Sequence, residues 1–139
     1  MNEVKNTSIG FAIESHIGSP FIDPLATQEL VSSVPGLSLT LDYTHFIREG
    51  YLNKNVDILL EYANHFHARG ARKGYLQTSA QHNIIDYEDI IKRLIVNNYS
   101  VWIGLKFIWI DWENCNEIDT LSEIILLRDT IIKAYAKHI

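Results

Sequence analysis

Glu14, Asp42 and His67 each close a short stretch in which two kinds of residue alternate. In "SIGFAIES" Gly10, Ala12 and Glu14 fall on one face, and Ile9, Phe11 and Ile13 on the other. In "PGLSLTLD" Ser38, Thr40 and Asp42 share a face opposite Leu37, Leu39 and Leu41. "NHFHAR" sets His65, His67 and Arg69 on one side, and "VWIGLKFIW" pairs Gly104 with Lys106. Two carboxylates and one neutral imidazole, brought together, suit Mn²⁺, Co²⁺, Zn²⁺ or Mg²⁺ and leave positions open for substrate oxygens. Taken singly, each is an ordinary polar residue at a sheet edge. Their shared position in three consecutive units is what argues for a site.

Neighbouring residues extend the set. "LTLDYTHF" places His45 three residues after Asp42. "HFHARG" carries histidines at i and i+2, which share a strand face. One reading is a two-histidine zinc site; the other makes one histidine structural and lets the second reach the site. Cys115 has no partner motif and reads as a packing residue, while Trp102, Trp109 and Trp112 read as core or pocket wall.

The elements that must position these residues alternate strand and helix. "DPLATQELVSSV" has Asp23 as a cap and Pro24 in the first turn. "NVDILLEYA" reads as a helix, and "DYEDIIKRLIVNN" as an amphipathic one capped by Asp86. In the last helix, "DTLSEIILLRDTIIKAYAKHI", Thr120 and Glu123 have the spacing of a capping box. "VWIGLKFIW" is nearly continuous in apolar residues, as in a strand covered on both faces. Four strand–helix units predict a parallel sheet with crossover helices. Aliphatic outer faces, and small inner faces ending in ionisable groups, fit part of a (β/α)8 barrel, whose sites lie at the C-terminal strand ends. A doubly wound sheet also binds ligands there, but no glycine-rich phosphate motif is present. The expected fold is therefore α/β, a partial TIM barrel of about four units forming a parallel half-barrel, with residues 1–139 as one domain.

Composition narrows the function. A net charge of −5 argues against a basic nucleic-acid surface. A single cysteine cannot form an internal disulfide and fits a reducing compartment. No apolar run approaches the roughly 20 residues of a membrane helix, and "MNEVKNTSIGF" lacks a signal-peptide core. The expectation is a soluble, cytoplasmic protein with no nucleic-acid or membrane partner.

Together, "ESHIGS", "VPGLSLTLDYTHF", "HFHARGARKGYLQ" and "WIDWENCNEIDTLSEIILLRD" resemble the sugar phosphate isomerase/epimerase family, the xylose-isomerase-like TIM barrels. The resemblance covers nearly the whole chain, but only strands five to eight of that barrel. It implies a divalent metal held by Glu, Asp, His and Glu at successive strand ends, and Glu14, Asp42 and His67 match the first three. It further implies that Glu14 is catalytic, that His45 contacts substrate, and that Arg69 or Arg72 faces the oxygens or phosphate of a sugar or sugar phosphate. The implied chemistry is isomerisation or epimerisation: a carboxylate takes a proton beside a carbonyl and the metal stabilises the enediolate.

Two departures from the family pattern predict that the isolated chain is inactive. Lys106 stands where the fourth ligand, a glutamate, belongs. An ammonium has three donors and no lone pair, and it would repel a dication about 4 Å away by on the order of 8 kcal/mol at an effective dielectric of about 20. The first four strand–helix units have no counterpart in this sequence. Activity would then require a second half-barrel, from another copy or a separate chain. The alternatives are a non-catalytic sugar- or phosphate-binding half-barrel, or a gene fragment without selected function. Lys106 is expected either to lie between Glu14 and Asp42 in the metal's stead or to extend into water.

Overall fold

Four strands form one parallel sheet in the computed structural model of the chain, which describes residues 9–139. They are β1 (Phe11–Ile13), β2 (Leu37–Asp42), β3 (Ala63–Ala68) and β4 (Ile103–Leu105), lying side by side in chain order. The expectation about the opening segment concerns residues 1–8, which lie outside the described residues. Register sets Ala12 beside Ser38, Thr40 beside His65, Asp42 beside His67, and His67 beside Gly104. The alternation read from the sequence therefore becomes one continuous polar face. The opposite face buries Leu39, Leu41 and Phe66 against Val31, Phe46, Leu59, Ile90 and Leu94 of the helical layer. Each such side chain contributes about 2 kcal/mol on leaving water.

The helices are α1 (Pro24–Ser33), α2 (Tyr43–Glu49), α3 (Asn53–Val56), α4 (Tyr87–Val96) and α5 (Thr120–His138). Asp23 caps α1 by accepting from the Ala26 N–H, and Asp86 caps α4 by accepting from the Asp89 N–H. Tyr87, Ile90, Ile91 and Leu94 form the buried stripe of α4. The stretch expected as one helix over "NVDILLEYA" is instead the short α3 running into a 3₁₀ segment, Asp57–Tyr62.

Three features differ from expectation. An additional helix, α2, starts directly at the end of β2, because the Asp42 side chain accepts from the Thr44 N–H and so caps it. Gly50 ends it at φ 102°, a conformation that favours glycine. The expected capping box on α5 does not form. Asp119 is the cap, accepting from the Leu121 and Ser122 N–H groups, while Glu123 turns away to accept from the Ala80 N–H at 2.7 Å. Finally, "VWIGLKFIW" is not covered on both faces. Only Ile103–Leu105 pairs, half-buried, and β4 is an edge strand with β3 as its one partner among the described residues. Trp102 and Trp109 are exposed rather than core, and Trp112, also exposed, stacks on His16. Among the described residues, no helix is long and apolar enough to cross a membrane.

Candidate functional site

Because the strands are parallel and in register, their C-terminal ends deliver side chains to one place. Glu14 follows β1, Asp42 ends β2, His67 is the penultimate residue of β3, and Lys106 follows β4. The Lys106 N–H donates to the Ala68 carbonyl at 2.9 Å, which extends the sheet by one step and fixes where its side chain begins. Gly104 makes the space. A Cβ added there would lie 3.3 Å from His67 Cδ2 and 3.5 Å from His65 Nε2.

The charged atoms interlock. One potential ligand atom each from Glu14, Asp42 and His67 lies within 4.8 Å of the others. The Lys106 ammonium sits among them, with Nζ 2.5 Å from Glu14 Oε1 and 3.4 Å from Asp42 Oδ2. His67 Nδ1 is 3.0 Å from the same Glu14 oxygen. Asp42 is fully buried, and both of its oxygens are engaged. Oδ1 accepts from the Thr44 N–H at 2.9 Å and the Thr44 hydroxyl at 2.5 Å. Oδ2 accepts from Arg69 at 3.3 Å, and Arg69 Nε donates to Thr44 Oγ1 at 3.0 Å.

Burial pushes the Asp42 carboxyl up. The Arg69 guanidinium, the Thr44 hydrogen bond and the Lys106 ammonium outweigh it and hold the group below the usual carboxylate range. Glu14 follows the same logic: burial raises it, and the hydrogen bonds from Lys106 and His67 bring it below normal. His45 goes the other way. Burial is the main cause that lowers its pKa to about 4, against the pull of Asp42. The Ile17 N–H donates to His45 Nδ1 at 3.3 Å, so the neutral ring carries its proton on Nε2. That nitrogen faces Asp42 Oδ2 at 3.5 Å and Glu14 Oε1 at 3.8 Å.

The fit to a metal can be tested on these contacts. Glu14, Asp42 and His67 supply three converging donors. The space beside their oxygens is already taken by a cation, and both Asp42 oxygens already accept from fixed N–H or O–H groups. Lys106 offers no lone pair at the fourth position. As arranged, these residues do not fit a divalent ion.

The structure brings Glu14, Asp42, His45 and His67 into one cluster. Arg69 joins it from beneath, only 1% exposed, with its guanidinium directed at Asp42 and Thr44. Arg72 makes no hydrogen bond or ion pair to the carboxylates among the described residues; its guanidinium stacks 3.5 Å over the Tyr75 ring. His65 packs edge-on against His67 and is not one of the three converging donors, so the two-histidine arrangement is not the one formed. Cys115 is a buried packing residue, as expected.

Four contributors escaped the sequence reading. Thr44 had a signal, since an aspartate two residues ahead of a threonine at a strand end is a helix-start pattern. His16 had none, and the sequence places Trp112 no further than core or pocket wall: the His16 ring lies 4.0 Å from His45, and Trp112 stacks on His16 at 5.6 Å. Gln77 also had none. Buried, it staples the loop after β4, its Nε2 donating to the Ile108 and Cys115 carbonyls, both at 2.7 Å, and its Oε1 accepting from the Ile108 N–H at 2.9 Å. Arg48 holds the same loop through two bonds to Glu113, at 3.1 and 3.0 Å, with Glu113 in the left-handed region at φ 55°.

Compared with known proteins, the chain matches no protein-family model and no curated protein. What the site can do follows from its own geometry.

Proposed function

We propose that this chain is a half-barrel of the sugar phosphate isomerase/epimerase type that binds a sugar or sugar phosphate at its strand ends and does not catalyse the reaction alone. The observation that supports this is the convergence of Glu14, Asp42, His67 and Lys106 at one end of a four-stranded parallel sheet. Hydroxyl-rich ligands need such a mixture of donors and acceptors at close quarters. Glu14 would be the catalytic carboxylate of a complete enzyme. A general base works best with a pKa near the operating pH. Here Glu14 is hydrogen-bonded to Lys106 and His67 and held below the usual range, which makes it a weak base. His45, buried with its Nε2 toward Asp42 and Glu14, would orient those acids toward a ligand, and Arg69 would act through Asp42. A second half-barrel would complete the site, joining at the outer edges of β1 and β4.

The test is ligand-observed NMR of the chain against neutral aldoses and ketoses and their phosphates, with deuterium incorporation beside the carbonyl followed in D₂O. Saturation transfer to a sugar that is lost in His45→Ala, with no deuterium incorporation, is the expected result. Absence of transfer across the whole panel removes the binding role. Incorporation by the isolated chain removes the claim that it is inactive.

A further inference from the structure

We propose that the Lys106 ammonium is the resident cation of this site, and that the site is consequently independent of divalent metals. The inference concerns the site proposed above, but it does not depend on the ligand being a sugar.

The position of Nζ carries the argument. A lysine at a barrel mouth that merely extended into water would place its ammonium beyond the carboxylates. Instead Nζ lies 2.5 Å from Glu14 and 3.4 Å from Asp42, so a single cation bridges the two acids. Glu14 and Asp42 approach each other within a cluster whose ligand atoms span no more than 4.8 Å, and of two carboxylates that close one takes up a proton unless a cation lies between them. The Asp42 side chain is fully buried, whereas those of Lys106 and Glu14 are each 26% exposed. The ammonium therefore joins a carboxylate that solvent does not reach to one that it does.

Charge counting leads to the same place. Glu14 and Asp42 bring two negative charges; Lys106 and Arg69 bring two positive ones. The cluster is balanced, and a dication entering it would meet no net attraction and one ammonium in its way. Replacing Lys106 by glutamate leaves three negative charges against Arg69 alone. The net of two negative charges matches a divalent ion, and the new side chain supplies the lone pairs the ammonium lacks.

The experiment is a Mn²⁺ titration of the full chain, read by the EPR signal of free Mn²⁺, for the unaltered protein, Lys106→Glu, and Lys106→Glu combined with Asp42→Asn. The unaltered chain should leave millimolar Mn²⁺ free. Lys106→Glu should bind it tighter by on the order of 100-fold, a change far below the repulsion at a fixed distance of about 4 Å, and Asp42→Asn should abolish the gain. A folded Lys106→Glu chain that binds no better than the unaltered one overturns the proposal. A second measurement needs no variant. In the unaltered chain, the side-chain ¹⁵Nζ and ¹³Cε signals of Lys106 should survive millimolar Mn²⁺, because no paramagnetic ion sits beside them. Their disappearance, with binding lost in Glu14→Gln, would show a metal at the carboxylates and sink the idea. Failure of the sugar panel would leave both results standing, so the two readings fail separately.

Discussion

Arg69 is a long cationic side chain that solvent hardly reaches, and Asp42 and Thr44 lie against its guanidinium. Removing one partner of a buried pair leaves the other charge without compensation, at a cost of about 3 kcal/mol or more. Arg69→Met should therefore lower the urea-unfolding free energy by about 3 kcal/mol; an unchanged midpoint would mean that Asp42 does not need it. His45 gives a pH signature. Its imidazole protonates near 6.5 when unfolded and near 4 when folded, chiefly because burial disfavours the charge. Between those values the unfolded chain binds the extra proton, so stability is complete above about pH 6.5 and falls as pH drops toward 4. The full effect is on the order of 3 kcal/mol. Urea midpoints at pH 7 and pH 5 should differ accordingly, and His45→Gln, which keeps an acceptor and a donor, should flatten that difference. At this scale the ionisable residues were legible, because strand alternation assigns each to a face. His16 was not, because its contacts with His45 and Trp112 arise between segments that the sequence keeps apart.

Among the elements, α5 shows how a local motif loses to its neighbours. Thr120 and Glu123 fit a capping box, yet Asp119 stands one residue earlier and accepts from two N–H groups and the Ser122 hydroxyl. Glu123 is drawn to the Ala80 N–H by the packing of a distant loop. Asp119→Ala should lower the Tm by a few degrees in a calorimeter, whereas Thr120→Ala should leave it nearly unchanged. The opposite order would restore the sequence-based cap. The loop after β4 depends on Gln77. Gln77→Leu would strand the Ile108 N–H and carbonyl and the Cys115 carbonyl without their partner. The expected loss is about 2–4 kcal/mol in chemical denaturation, with faster amide exchange at Ile108 and Cys115. No pattern in the sequence marks this glutamine, since its partners are backbone atoms about thirty residues away.

For the whole molecule, the strand–helix rhythm made the parallel sheet readable in advance. The extent of β1 and β4 was not readable, because an edge strand's length depends on what pairs with its free side. Among the described residues β1 and β4 each pair on one side only, and Val101, Trp102 and Trp109 leave apolar surface beside β4. In sedimentation velocity at micromolar concentration, species heavier than the 16.0 kDa chain are expected. Trp102→Lys should shift the distribution toward the monomer. A single monomeric boundary for the unaltered chain would count against edge pairing.

The spatial order of the strands is also the order in which a ribosome delivers them. Each strand that emerges meets the edge of the one made just before it, so the sheet can grow outward without waiting for a later segment. Electrostatic completion lags behind. Glu14, Asp42 and Arg69 are in place once β3 has docked, and the two acids then face each other without their bridging cation. Lys106 enters only with the fourth strand. A chain stalled or cut before that point lacks the cation between Glu14 and Asp42, and so carries one surplus negative charge where these strands end.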